Sequence, residues 1–108
     1  ANLWQSGRYK DYYTDLTDIA REYLEGEFEI EAIEMTSDEI LSEVRKIHLD
    51  DLVFNKLEKT LTTADLVKFA KATPLSAENE EAFKNINSFV EESYTFHQEL
   101  EKKKMEET

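Results

Sequence analysis

Between Tyr9 and Leu24 the apolar residues recur at steps of three and four: Tyr9, Tyr12, Tyr13, Leu16, Ile19, Ala20, Tyr23 and Leu24. That spacing follows the 3.6-residue turn of an α-helix and gathers the set on one stripe, which must be buried against other elements. Asp11, Asp15, Asp18, Arg21, Glu22 and Glu25 fall mostly elsewhere on the same helix. Helix one is therefore expected over 8–25, with Gly26 as its left-handed stop. The remainder of the chain points the same way. It holds two glycines and one proline in 108 residues, too few for the tight turns that strands require. The expected fold class is all-α.

Charge narrows the function classes. There are 25 acidic and 13 basic residues, a net charge of −12. Such a surface repels phosphate backbones and anionic lipid, which argues against nucleic acid and membrane adsorption. Twelve aromatic residues among the periodic positions argue for a packed core rather than disorder. The chain has no cysteine, which excludes disulfides, thiolate nucleophiles and zinc ribbons. No apolar run approaches the 18 or so residues of a membrane span, and no signal-peptide pattern opens the chain. The opening "ANLWQSG" reads as a cut inside a longer protein, with Trp4 either a lid on the bundle or exposed.

After helix one, "FEIEA" alternates apolar and acidic residues, so Phe28, Ile30 and Ala32 are expected on one side of a short extended connector. "TSDEI" then has the form of a helix start. Thr36 with Glu39 fits a capping box, in which each side chain satisfies a backbone N–H of the other's end. Ile40, Leu41, Val44 and Ile47 give helix two its buried face. Asp50 caps helix three, with Leu52, Val53, Phe54 and Leu57. "TLTTADLVKFAKATP" gives helix four, capped by Thr62 or Thr63 and ended near Ala72 by Pro74. Leu66, Val67, Phe69 and Ala70 cover most of its circumference, so it is expected to be well enclosed, with Asp65, Lys68 and Ala72 on its polar side. Ser76 opens helix five, with Phe83, Ile86, Phe89 or Val90, Tyr94 and Leu100 on its stripe. Residues 101–108 have lost the apolar face and are expected to fray. The sum is a single domain over 1–108, an irregular bundle of about five helices.

Chemistry-bearing residues give little. "EFEIEAIEMTSDEI" carries six carboxylates, but it lacks the glycine and the alternating oxygen ligands of a calcium loop. Its Glu29 and Glu31 form the solvent side of the connector, and Asp38 and Glu39 sit at the positive end of helix two. Glu34 alone lacks a role from spacing, and Arg21 or Lys68 is its expected partner. His97 continues the stripe of helix five, with Ser93 and Glu101 one turn away, and is expected to be packed or half-exposed; His48 is remote from it. No serine occupies a glycine-flanked elbow, and Gly7 and Gly26 alone cannot make a phosphate loop. No catalytic, cofactor-binding or metal-ligating residue is therefore assigned. Tyr9, Tyr12 and Tyr13 are candidates for an interaction face, although the pattern favours burial of Tyr12 or Tyr13 with the hydroxyl at the rim. Asp65 and Lys68 share a face, and one of them is expected to reach Arg21 or Glu34. Arg21, Glu34, Thr36, Glu39, Asp65 and Lys68 are thus the candidate buried polar set.

Three blocks of this chain, "YYTDLTDIAREYLEGEFEIEAIEMTSDEIL", "ADLVKFAKATP" and "NSFVEES", resemble the cytosolic tail of bacterial membrane proteins from aerotolerance-type operons. Those operons pair a MoxR-like AAA+ ATPase with von Willebrand A-domain membrane proteins. The residues that carry the resemblance are Tyr12, Tyr13, Leu16, Arg21, Tyr23, Glu34, Thr36, Asp38, Glu39, Ile40, Asp65, Leu66, Lys68, Phe69, Ala70, Lys71 and Pro74. The resemblance implies a membrane-anchored accessory component, with a transmembrane segment before Ala1 and this domain at the cytoplasmic face of the inner membrane. It implies no catalytic residue.

The expected function is a non-enzymatic protein-interaction domain that docks another component of the same membrane-associated assembly. The acidic surface would steer it toward a basic partner. Homo-oligomerisation through helix one or helix five is the alternative. A divalent-cation sensor is a third class, and would require a site that the sequence does not display.

Overall fold

The computed structural model describes residues 8–107; the expectation for Trp4 lies outside them. Four α-helices and one 3-10 turn make up this span: α1 (Tyr9–Phe28), the turn Ala32–Glu34, α2 (Ser37–Arg45), α3 (Asp51–Phe69) and α4 (Ser76–Glu107). No strand occurs among the described residues. The fold is all-α, with four helices where about five are expected.

The ties between helices fix their directions. From Tyr13–Asn79 through Tyr23–Ser93 to Glu27–His97, contacts advance together along α1 and α4, so these two helices run parallel. Lys56 meets Glu92 and Lys59 meets Glu81, so α3 runs against α4. The core lies between the three long helices and α2. Tyr13, Leu24, Ile40, Val44, Leu57, Leu61 and Phe89 are its most enclosed large side chains. Each such aliphatic residue contributes roughly 1.5–3 kcal/mol by leaving water.

Three differences from the expected elements have physical causes. First, α1 does not stop at Gly26. It runs on to Phe28, and Glu29 takes the left-handed position (φ 58°). The ring of Phe28 packs on Tyr23 at 6.0 Å and stacks on His97 at 4.6 Å, and this packing outweighs the weak helix propensity of Gly26. The expected extended connector is consequently shortened and closed by the 3-10 turn. Second, the expected helices three and four are one helix, α3. Thr62 and Thr63, the expected caps, lie inside the helix, and just before them Thr60 is buried with its hydroxyl donating to the Lys56 carbonyl one turn back. Such back-bonding satisfies the hydroxyl without breaking the helix. Third, the C-terminal end of α3 is not enclosed. Leu66 and Phe69 are exposed, and the helix ends at Phe69, with Lys71 left-handed (φ 56°), before Pro74 is reached.

Two expected caps are present. Thr36 Oγ1 accepts from the Glu39 N–H while the Glu39 carboxylate accepts from the Thr36 N–H, a complete capping box. Asp50 accepts from the Leu52 N–H at the head of α3. The head of α4 starts at Ser76, as expected, but is steadied by Glu78, which accepts from the Leu75 N–H. The tail expected to fray is helical to Glu107 and exposed throughout 98–107. At 1.5 Å per residue α4 is about 48 Å long against about 30 Å for α1, so its end projects beyond the bundle. The molecule is accordingly elongated, 53 × 24 × 22 Å.

Candidate functional site

Around the seam between α1, the 3-10 turn and α3 the candidate polar set is not buried and the expected pairs do not form: Arg21, Asp65 and Lys68 are half-buried, while Glu34, Thr36 and Glu39 are exposed. Arg21 projects from α1 across the turn, where its Nη1 donates to the carbonyls of Ala32 (2.8 Å) and Met35 (2.6 Å). The Ala32 carbonyl also accepts from the Met35 N–H within the 3-10 turn, whereas the Met35 carbonyl lies past the turn and before α2, outside either helical ladder. The guanidinium thus staples the bend and sets up the Thr36–Glu39 box that starts α2. Glu34 is exposed and pairs with neither Arg21 nor Lys68. The expectation fails because Arg21 is committed to backbone oxygens. Lys68 reaches instead to Thr17, donating from Nζ to Oγ1 at 3.0 Å. Its amine is held below the usual lysine range, first by burial and then by the nearby Arg21 charge; Asp18 and Asp65 act against this. Asp65 forms no ion pair with Arg21. The seam is a structural joint, with its donors and acceptors used internally.

The tyrosine cluster is also internal. Tyr12 and Tyr13 are buried, and both hydroxyls converge on Asn79 in the first turns of α4. Tyr13 donates to Asn79 Oδ1 at 2.8 Å, and Tyr12 donates to the Asn79 carbonyl at 2.9 Å. Burial pushes the Tyr13 phenol up to about 12, with Tyr12 and Glu78 adding to the effect. Burial also raises Tyr12, with Glu80 adding to it. Of the expected interaction face only Tyr9 is partly exposed; Tyr12 and Tyr13 serve as pins between α1 and α4. Asn79 Nδ2 is the one buried side-chain polar atom without a partner among the described residues.

Asn79 escapes sequence reasoning, and so does part of the buried face of α4: Ile86 and Phe89 are buried as expected, but Leu100 is exposed. The buried positions of the helix are Asn79, Ala82, Ile86, Phe89 and Ser93, while Phe83 and Tyr94 are exposed. The signal was present as a three- and four-residue spacing, but the small and polar residues at 79, 82 and 93 mask it. Ser93 donates to the Phe89 carbonyl and pairs with the Tyr23 hydroxyl at 2.8 Å. Burial raises the Tyr23 phenol.

At the far end of the same seam, His97 meets Glu27 of α1. Nδ1 lies 2.7 Å from Glu27 Oε2, and Nε2 lies 3.5 Å from Glu101 Oε1. Gln98 also donates to Glu27 Oε2, at 3.3 Å. Gly26, Glu27, Phe28, Glu29, His97 and Glu101 line a cleft of ≈ 460 Å³ there. The spacing anticipates a half-buried His97 with Glu101 nearby; Glu27, 70 positions away, is invisible to it. No group of three or more His, Cys, Asp or Glu suited to a metal ion occurs among the described residues.

Outside these seams, large apolar side chains stand exposed around the corner between α3 and α4. Phe69 is 80%, Leu75 70% and Leu66 50% accessible. No helix among the described residues is long and apolar enough to cross a membrane. Compared with known protein families, with characterised proteins and with solved structures, the chain matches none.

Proposed function

We propose that this domain is a non-enzymatic docking module of a membrane-anchored accessory protein, and that it meets its protein partner through the corner between α3 and α4. The observation that carries the proposal is the exposure of Phe69, Leu75 and Leu66 at that corner, in a chain whose charged residues make up 35% of the sequence. Grouped apolar side chains with a polar rim are the usual core of a protein interface. The net charge of −12 would accelerate encounter with a basic partner. The candidate partners are the MoxR-like ATPase and the von Willebrand A-domain proteins of the operon type that the sequence resembles, at the cytoplasmic face of the inner membrane.

The test is a titration of the purified domain with each of these two proteins, repeated with Phe69→Ser and Leu75→Ser. Saturable binding that both substitutions weaken supports the proposal. Binding to neither protein, or binding that neither substitution affects, refutes it. Sedimentation at tens of micromolar decides the homo-oligomer alternative: a monomer removes it. Calorimetric titration with calcium and magnesium, flat at millimolar concentration, removes the cation-sensor alternative.

A further inference from the structure

We propose that His97 is a proton-operated clasp that governs how firmly the projecting end of α4 is held to α1. The position of the histidine is the first observation. His97 is the last residue of α4 that is not exposed, and every residue from 98 to 107 is exposed. The clasp therefore sits at the root of the overhang. Its side chain is 23% accessible and that of Glu27 20%, whereas the other ion pairs among the described residues have at least one member at 44% or more.

The second observation is the donor count. Nδ1 faces the Glu27 carboxylate at 2.7 Å, so with Glu27 ionised that nitrogen must carry a proton. In the neutral ring Nε2 is then a lone pair, turned toward Glu101 Oε1 at 3.5 Å. Lone pair and carboxylate repel. Proton uptake converts Nε2 to a donor, and the ring then bridges Glu27 on α1 and Glu101 one turn along α4. Stacking on Phe28 at 4.6 Å fixes the ring plane for both contacts. The charged and titratable groups around it are Glu27 and, beside it, Tyr23 on α1, Glu29 just past α1, and Glu101 on α4. Lys104 stands 3.8 Å from Glu101 and competes for that carboxylate when the ring is neutral. A protonated ring grips Glu27 and Glu101 where a neutral one grips Glu27 alone, so the clasp tightens on acidification. A solvent-exposed single helix is marginal by itself, so the state of its root sets how far it unwinds.

The experiment is amide hydrogen exchange by NMR on the full chain, from pH 5.5 to 8, with each rate divided by its intrinsic value. Amides 99–104 are expected to be protected about threefold or more at pH 5.5 relative to pH 8. In His97→Gln, which keeps a donor for Glu27 but does not titrate, that dependence should vanish. Glu101→Gln, on an exposed carboxylate, should weaken it while leaving the fold intact, which guards against a misfolded histidine variant. Protection independent of pH in the native chain would overturn the clasp. So would a dependence that persists in His97→Gln.

Discussion

Of the ties that join α1 to α4, the two at opposite ends of the seam differ in their surroundings. Tyr13 and Asn79 are wholly enclosed, and their hydrogen bond at 2.8 Å has no water to replace it. Glu27 and His97 are comparably close, at 2.7 Å, but sit at the rim beside an open cleft. Equal geometry does not mean equal consequence. An enclosed polar group that loses its partner bears its full desolvation penalty, whereas a rim pair can return to water. The inner tie therefore specifies the fold, and the outer one is free to respond to conditions.

Arg21 belongs with the inner tie, and its removal should produce the largest loss. Arg21→Ala strips the Ala32 and Met35 carbonyls of a charged donor, and denaturant titration should register about 2–3 kcal/mol. Asp65→Ala, a neighbour in the same seam but without an ion pair to Arg21, should stay within about 0.5 kcal/mol. Similar losses for the two would show that the seam is held by diffuse charge rather than by the staple.

The two ties can be compared directly. Tyr13→Phe leaves Asn79 with no side-chain partner and should destabilise by about 1–3 kcal/mol. His97→Gln at neutral pH should cost less than about 1 kcal/mol. Equal losses would break the distinction between enclosed and rim contacts.

Alkali should find the inner tie as well. The fold holds the Tyr13 phenol neutral, raised from 10.0 to about 12 by burial. Its contribution to stability is whole below pH 10 and is lost as the pH climbs toward 12. Tyr12 and Tyr23 are raised too and act in the same direction. Denaturation midpoints measured between pH 9 and 11.5 should fall, and in Tyr13→Phe they should fall less steeply. An identical slope in the variant would show that Tyr13 is not the group that titrates.

The smallest effect lies near the outer tie. Gly26 is helical, and a Cβ placed there meets nothing within 4 Å. Gly26→Ala should therefore stabilise by about 0.5–1 kcal/mol in thermal or denaturant melts. A loss would mean that α1 ends at Gly26 after all.

Much of the helical order was legible in the chain. Most of the α1 stripe (though not the exposed Ile19), the Thr36–Glu39 box and the Asp50 cap follow from local rules, and local rules act within one turn. What was illegible depends on contacts distant in sequence. Phe28 stays helical because His97 stacks on it, and Thr60 hides in a helix because its hydroxyl turns back to Lys56. Glu34 was expected to meet a cation, but Arg21 meets carbonyl oxygens, which no side-chain pattern announces. The α4 face was misjudged because a hydrophobicity stripe selects Phe83 and Tyr94 over Asn79 and Ser93.

The division between a polar interior that keeps the fold and an apolar corner that meets a partner is tested most directly by one paired measurement. Binding of the MoxR-like ATPase or the von Willebrand A-domain protein is titrated against the native domain and the Phe69→Ser, Leu75→Ser double variant, with the melting temperature of each recorded. The expected result is at least about a tenfold loss of affinity with a melting temperature little changed, because both side chains are already exposed. Unchanged affinity in a folded variant would contradict the assignment of the corner as the docking surface.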